Sequence, residues 1–214
     1  MKLNILNWFI NIFFPQQCLQ CKSIQKNRVC DTCFTQIFEN ASYKKVLHNI
    51  DFYYYFLYEG TIKHIVHEIK FKKSMSLAAQ FSKHLSTLSL PTKIDRNWIF
   101  IPIPSHSNRI KERGFNHITV LFQEFLTHHS LKTMPVLRRK KHTQALFGLT
   151  HHQRQEELAN AFEVLFPEQI CNQNIVLIDD IITSGTTISH ARDLLLQHGA
   201  AQVKALCIAY TPLS

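Results

Sequence analysis

Apolar residues in the last fifth of this chain change from an unbroken run to a spaced pattern and back. Residues 175–178 are aliphatic without interruption, which is typical of a strand buried on both faces of a parallel sheet. From Ile188 the apolar residues recur at 188, 191, 194 and 195, the spacing of one helix face, and Gly199 ends that helix. Residues 201–209 again suit a strand. The pattern therefore predicts a β-loop-α-β unit.

The same alternation occurs earlier in the chain. Residues 50–58 are largely aromatic and suit a strand, and the apolar residues at 62, 65, 66 and 69 then repeat with helical spacing. Residues 99–103 form another short apolar run, and a helix is predicted after Asn116. Strands that alternate with helices indicate an α/β fold, a parallel sheet flanked by helices.

A basic sequence, KFKK, ends the helix predicted over residues 62–69. Its lysines, at 70, 72 and 73, lie where the helix dipole favours cations. That structural role accounts for them, and a role near a ligand is the lesser alternative.

Two acids and a cluster of hydroxyl residues follow the strand at 175–178. Asp179 and Asp180 can accept hydrogen bonds from sugar hydroxyls or hold Mg²⁺ through water, and we expect them to serve a ligand rather than a core partner. The next helix opens at a loop where free backbone N–H groups favour an anion. A phosphate beside a vicinal diol is a ribose 5-phosphate. Alternatively, the acids cap the turn and the loop is only a connection. The loop comprises Thr183, Ser184, Gly185, Thr186 and Thr187.

A second polar loop follows the strand at 99–103. Pro102 and Pro104 favour an extended exit from that strand. Ligands of a doubly wound sheet bind at the carboxyl ends of neighbouring strands, so this loop could face the hydroxyl loop and neutralise a diphosphate. A basic surface turn is the alternative. The donors and cations of the loop are Ser105, His106, Ser107, Arg109, Lys111 and Arg113.

Charge is distributed unevenly along the chain. The net charge is +9, because residues 1–155 carry 22 basic and 8 acidic side chains while residues 156–214 carry 2 and 7. Such an excess attracts nucleic acid, anionic lipid or a polyphosphate, and charge alone does not choose among them.

A run of four cations favours single-stranded DNA, with a flap over a diphosphate or a solvated loop as alternatives. The run is Arg138, Arg139, Lys140 and Lys141.

Four cysteines near the N-terminus form two CxxC pairs separated by eight residues. They are Cys18, Cys21, Cys30 and Cys33. Each pair can supply two thiolates to one tetrahedral Zn²⁺. Disulfides are the alternative, but a bridge within CxxC is strained. A module of about 40 residues buries too little apolar surface to fold alone, so we expect structural zinc to supply most of its folding energy.

The N-terminal stretch MKLNILNWFINIFFP is too short to span a bilayer, which takes roughly 20 apolar residues. It has no small-residue cleavage site, so we expect no secretory signal and a cytoplasmic location. Its asparagines share one helical face, which predicts a short amphipathic helix packed on the body. Peripheral contact of residues 1–14 with a membrane or a partner protein is the alternative.

Two sets of motifs resemble known families. Residues 175–187, four aliphatic residues followed by DDIITSGTT, resemble the phosphoribosyl pyrophosphate (PRPP) signature of type I phosphoribosyltransferases. The strand with alternating prolines, Arg109 and RGFNH at 113–117 resemble the competence protein F (ComF) family. YEGTIKHIVHEIKFKK at 58–73 and LANAF at 158–162 extend that resemblance. ComF members also carry a four-cysteine module and the PRPP signature.

The resemblance implies a zinc module with the amphipathic helix over residues 1–45 and a type I phosphoribosyltransferase-like domain over 46–214. It also implies PRPP binding with Mg²⁺, natural transformation through handling of single-stranded DNA, and partners in competence or DNA uptake. The alternative is an active phosphoribosyltransferase that transfers the phosphoribosyl group from PRPP to a nitrogen nucleophile. The sequence shows no acceptor pocket and identifies no catalytic residue, which favours the first function.

Overall fold

Helices and strands alternate along most of the chain. The computed structural model describes residues 16–25, 27–39, 41–47, 50–105, 107–140 and 161–212. Its helices are α1 (Asp31–Glu39), α2 (Gly60–Phe71), α3 (Met75–Leu85), α4 (Ser107–Arg113), α5 (His117–His128) and α6 (Thr186–Gln197). Its strands are β1 (Lys44–Leu47), β2 (Asp51–Leu57), β3 (Ile99–Pro102), β4 (Lys132–Thr133), β5 (Leu137–Arg139), β6 (Phe162–Val164), β7 (Asn174–Ile182) and β8 (Gln202–Tyr210).

Six strands form one sheet in the order β1-β2-β8-β7-β3-β4. Strand β1 is antiparallel to β2, and every other neighbouring pair in this sheet is parallel. Central strand β7 is fully buried from Ile175 to Ile178, as the unbroken apolar run predicts. The parallel α/β sheet is confirmed, with an antiparallel edge strand that the pattern did not predict.

The register between β3 and β7 sets the two polar loops side by side. Pro102 lies opposite Ile178, and the Ile103 amide donates to the Ile178 carbonyl over 2.9 Å. Because β3 and β7 are parallel, their carboxyl ends lie at the same end of the sheet. The loop after β3 and the acids of β7 therefore share one end of the sheet.

Aromatic packing joins the cysteine-rich segment to the rest of the chain. Phe34 and Phe38 of α1 are buried, and both rings contact the ring of Phe81 on α3, with centroids 6.3 and 5.1 Å apart. Helix α3 in turn lies against α5, where Ser82 Oγ accepts a hydrogen bond from the Glu124 amide over 3.1 Å. The described cysteine-rich segment thus shares a hydrophobic core with the rest of the described chain. The domain boundary at residue 45 stays a prediction.

Some predictions fall outside the described residues. Residues 1–15 are among them, so the amphipathic helix and its membrane contact stay predictions. Within the ranges that the structure describes, no helix is both long and apolar enough to cross a bilayer. Strands β5 and β6 pair as a separate antiparallel hairpin, and residues 141–160 between them are also outside the described part.

Candidate functional site

A cleft of about 640 Å³ opens at the carboxyl ends of β3 and β7. Ser105 lies in the loop after β3, while Arg109 and Arg113, which were predicted to lie in that loop, are on helix α4. The segment after β7 contributes Thr183 and Thr187, and Asp179 and Asp180 lie near the end of β7 itself. His106 lies outside the described residues, and the side chain of Ser107 is not described. Two polar loops that are far apart in sequence therefore line the same cleft.

Gly185, in the middle of the hydroxyl loop, is the N-cap of helix α6, so Thr186 and Thr187 form the first turn of that helix. Gly185 has φ 73°, a left-handed conformation that strains other residues, and a Cβ there would come no nearer than 4.0 Å to Ile182. Conformation rather than space therefore requires glycine here. Ser184 Oγ and Thr186 Oγ1 are hydrogen-bonded over 2.9 Å. The first amides of α6 have no partner within the helix, so they and the hydroxyls are donors suited to a phosphate.

Asp180 lies at the floor of the cleft and is held by two protein groups. Its Oδ2 accepts a hydrogen bond from His117 Nε2 over 2.7 Å and forms an ion pair with Lys70 Nζ over 2.6 Å. The carboxylate is 5% exposed. Burial alone would raise the pKa of Asp180, but the His117 hydrogen bond and the Lys70 charge outweigh it and hold this pKa well below its usual range. The Asp180 carboxylate is therefore ionised, and it connects strand β7 to His117 and Lys70.

Arg113 closes this arrangement into a ring of contacts. Its Nε donates to the Lys70 carbonyl over 3.0 Å, and its Nη1 contacts His117 Nδ1. A guanidinium can only donate, so Nδ1 of His117 accepts and Nε2 carries the hydrogen that is donated to Asp180. Helix α2, helix α4, helix α5 and strand β7 are thus joined at one point beneath the cleft.

Asp179 differs from Asp180 although the two are adjacent. It is half-buried, lines the cleft, and its Oδ1 accepts a hydrogen bond from the Asp180 amide over 2.9 Å. Burial and then the charge of Asp180 raise the pKa of Asp179 well above its usual value. The expectation that both acids serve a ligand rather than a core partner is corrected for Asp180, whose carboxylate has two protein partners. Asp179 is the acid that faces the cleft.

The described part of the four-cation run, residues 138–140, does not form one surface. Neighbouring strand residues point to opposite faces, and Arg138 is paired with Glu163 while Arg139 lines the cleft. Among the described residues, nothing accepts a hydrogen bond from the buried Nε of Arg139. Burial, with the nearby charge of Arg109, lowers the pKa of Arg139. Lys140 is exposed, and Lys141 lies outside the described part of the chain.

Two residues of the cleft are missed or undervalued by sequence reasoning. The position of Lys70 at a helix end indicates a dipole cation, yet its ammonium pairs with Asp180. His117 lies within the RGFNH motif, but its partner is 63 residues away. The feature of the sequence that could have identified His117 is its position next to the N-cap residue Asn116, in a segment expected to face a ligand.

The four predicted metal ligands are brought together. The Sγ atoms of Cys18, Cys21, Cys30 and Cys33 all lie within 4.8 Å of one another. Cys30 Sγ is 3.8 Å from Cys18 Sγ and 3.9 Å from Cys21 Sγ, which matches the edge of roughly 3.8 Å expected for a tetrahedron of thiolates around Zn²⁺. All four are free thiols, so the disulfide alternative is not what the structure shows. The cluster could hold a metal ion.

The electrostatics of this cluster favour a bound cation. A hydrogen bond from Ser23 lowers the pKa of Cys21 to about 6. Burial, and then the neighbouring thiols, raise the pKa of Cys33 to about 12. Four thiols this close cannot all ionise without a compensating positive charge.

Comparison with known proteins finds relatives named for DNA utilization and competence. A model described as the phosphoribosyl transferase domain matches residues 120–213, which include β7, the hydroxyl loop and α6. The DNA utilization protein YhgH of Shigella flexneri is 28% identical over 165 residues, covering 72% of this chain and 69% of that protein. Competence protein F of Haemophilus influenzae is 28% identical over 135 residues, covering 62% of this chain and 56% of that protein. These relatives and the domain match support the resemblance to the ComF family.

A solved structure matches part of the chain at low similarity. The allosteric regulatory enzyme of purine biosynthesis matches 63% of this chain and a quarter of its own length, at 15% identity and a TM-score of 0.42. The phosphoribosyltransferase-like fold of this chain follows from the domain match and from its own sheet.

Proposed function

We propose that this protein is a member of the ComF family, binds PRPP in the cleft and handles single-stranded DNA during competence. The observation that carries the proposal is the pairing of two anion-binding loops around one half-buried carboxylate. Thr183 and Thr187 line the cleft from the loop after β7, Arg109 and Arg113 line it from the segment after β3, and Asp179 lines it from the end of β7. PRPP has a monophosphate, a ribose and a diphosphate in that order.

The phosphate end would be bound mainly by the backbone. Donors at the start of a helix, helped by its dipole, suit a phosphate monoester without a cationic side chain. The hydroxyls of Thr183, Ser184, Thr186 and Thr187 would add donors, and Thr183 and Thr187 line the cleft. Gly185 turns the chain into α6 between the two pairs of hydroxyl residues.

The diphosphate end would be bound by cations. Arg109 and Arg139 share the cleft, and burial, followed by the charge of Arg109, lowers the pKa of Arg139. Among the described residues, nothing accepts a hydrogen bond from the buried Nε of Arg139. Bringing a diphosphate there would compensate both charges. Ser105 adds a hydroxyl donor beyond the end of β3.

Asp179 would contact the ribose. A carboxylate accepts hydrogen bonds from two vicinal hydroxyls, and its position in the same cleft as both anion-binding loops supports that role. Its carboxylate also fits Mg²⁺ held through water, and when bound that ion would neutralise charge on the diphosphate. The four-thiolate cluster fits Zn²⁺ in a structural role.

Relatives named for competence and DNA utilization support the DNA part of the proposal. The second candidate, an active phosphoribosyltransferase with a nitrogen nucleophile as acceptor, is favoured by the domain match over residues 120–213. The two differ in one product, because transfer releases diphosphate and binding alone does not.

One experiment separates them. The full chain is incubated with PRPP, Mg²⁺ and a single-stranded oligonucleotide while DNA binding and released diphosphate are both followed. The proposal expects DNA binding and PRPP binding in the same molecule without stoichiometric diphosphate release. Continuous release that depends on an added nitrogen nucleophile would instead establish the enzyme.

A further inference from the structure

The end of helix α2 presents an exposed aromatic ring at the mouth of the cleft. Phe71 is the last residue of α2, its exposed fraction is 66%, and it lines the cleft. A phenylalanine this exposed at a ligand cleft is unusual because it leaves most of its apolar surface in water. The ring of His67, one turn earlier and also exposed, lies 4.8 Å from it at a tilt of 39°. Together the two rings extend an aromatic surface outside the cleft.

Lysines flank this ring, and one of them is held in a strained backbone conformation. Lys73 has φ 58°, the left-handed region that glycine or asparagine normally occupies after a helix. It keeps a long cationic side chain there and lines the cleft together with Phe71. Such an outlier at a cleft points to a role for the side chain. The helix dipole explains a cation here but not a lysine in place of glycine.

The electrostatic balance at this mouth is positive. Five cationic side chains line the cleft against three acids, and one of the acids, Asp180, is already paired with Lys70. The cations are Lys70, Lys73, Arg109, Arg113 and Arg139, and the acids are Glu112, Asp179 and Asp180. An exposed ring next to an excess of positive charge matches a polyanion that also carries flat aromatic groups. Single-stranded nucleic acid has that composition, since its bases stack on aromatic rings while cations follow its backbone.

The outer face of the β5-β6 hairpin is the alternative DNA-binding surface. Among the described residues, it presents fewer unpaired cations than the cleft mouth does. Arg138 is engaged by Glu163, and Arg139 lines the cleft rather than the outer face of the hairpin. A DNA strand that reaches Arg139 would therefore have to enter the cleft mouth.

We propose that Phe71 and Lys73 form a contact for single-stranded DNA at the mouth of the cleft. One base stacks on Phe71, and the adjoining phosphate is neutralised by Lys73. The contact rests on the proposed function, and it means that DNA and PRPP bind next to each other. It assigns the KFKK sequence a ligand role in addition to its place at a helix end.

Anisotropy titrations of a labelled poly-dT strand against the full chain test this contact. Phe71→Ala should weaken DNA binding about tenfold, the loss typical of one stacked base. Phe71→Leu should weaken it nearly as much, since it stays apolar but has no ring. Lys73→Gln should weaken binding and reduce the salt slope by about 0.7, one phosphate contact on a single strand. The matched controls, Phe166→Ala and Lys63→Gln, change an exposed ring and an exposed lysine that do not line the cleft.

Circular dichroism on each variant checks the fold, and a parallel PRPP titration checks the cleft. The contact is supported if the loss of affinity for DNA exceeds any loss for PRPP. It is overturned if folded Phe71→Ala binds DNA as wild type does, which leaves the proposed function standing, or if only PRPP affinity falls. Wild-type protein that binds no DNA would overturn both the contact and the DNA part of the proposed function.

Discussion

Nε2 of His117 donates a hydrogen bond to the buried carboxylate of Asp180 over 2.7 Å, and Lys70 contacts the same oxygen. The adjacent acid, Asp179, lines the cleft and, among the described residues, forms no ion pair of this kind. One acid of the pair is therefore used by the protein to join α2, α5 and β7, and the other is left for a ligand.

The first prediction concerns Asp180. Asp180→Asn should lower the free energy of unfolding by about 3 kcal/mol, because it leaves the largely buried Lys70 ammonium without its counter-charge. Urea unfolding followed by circular dichroism measures this loss. Asp193→Asn, which changes an exposed acid on α6 paired with its neighbour Arg192, is the control and should change stability by less than about 0.5 kcal/mol. Equal stabilities of the two variants would show that the ring of contacts is not structural.

The second prediction is the pH dependence of stability. The folded-state pKa of Asp180 is depressed, so its contribution is present above its unfolded value of about 4 and is lost as pH falls toward the folded value. The folded-state pKa of Asp179 is raised, so its ionised form opposes folding at neutral pH. Asp179→Asn should therefore be at least as stable as wild type at pH 7. Asp180→Asn should show a flatter acid limb. Thermal unfolding between about pH 3 and 8 at fixed ionic strength checks both, and a destabilised Asp179→Asn would contradict this assignment.

The third prediction concerns the cysteine cluster. Purified without chelators, the protein should contain one equivalent of zinc, and metal analysis below about half an equivalent would count against the site. Removing the metal should loosen α1, whose Phe34 and Phe38 pack on Phe81, and should reduce the near-ultraviolet signal. Cys21→Ser should reduce zinc content. Cys171→Ser, which changes an exposed free thiol outside the cluster, should not.

The fourth prediction divides the four-cation run. Arg139→Gln should weaken PRPP binding roughly tenfold, because the cleft then has one charged hydrogen-bond donor fewer. Replacing Arg138, Lys140 and Lys141 together by glutamine tests the prediction from sequence that the four-cation run contacts DNA. If these cations neutralise backbone phosphates, the salt slope of DNA binding should fall by about 0.7 for each phosphate that the variant no longer neutralises. An unchanged slope in the folded triple variant would exclude the hairpin as a DNA contact.

Local pattern was enough to predict the unit β7-loop-α6-β8. The aliphatic run, the spacing from Ile188 and Gly199 each reflect contacts within a few residues, and the observed helix, Thr186–Gln197, agrees with them. Strand β7, Asn174–Ile182, extends beyond the predicted run, so Asp179 and Asp180 lie within the strand rather than after it. The clustering of the four cysteines was likewise predictable because metal-ligand spacing is a local property.

Partners across the fold were not predictable in this way. Asp180 and its neighbour look alike in sequence, and what separates them is a histidine 63 residues away and a lysine on another helix. The split of Arg138 from Arg139 depends on the pairing of β5 with β6, whose partner strand lies beyond residue 160. The antiparallel β1 was missed because KKVL is short and carries two lysines.

Calorimetric titration of PRPP in the presence of Mg²⁺ tests the account most directly. Wild-type protein and Asp193→Asn should bind one equivalent. Asp179→Asn should bind at least about tenfold more weakly while staying folded at pH 7, since it lacks the carboxylate that faces the ribose. Absence of binding by the wild type, or the same affinity in a folded Asp179→Asn, would contradict the assignment of the cleft to PRPP.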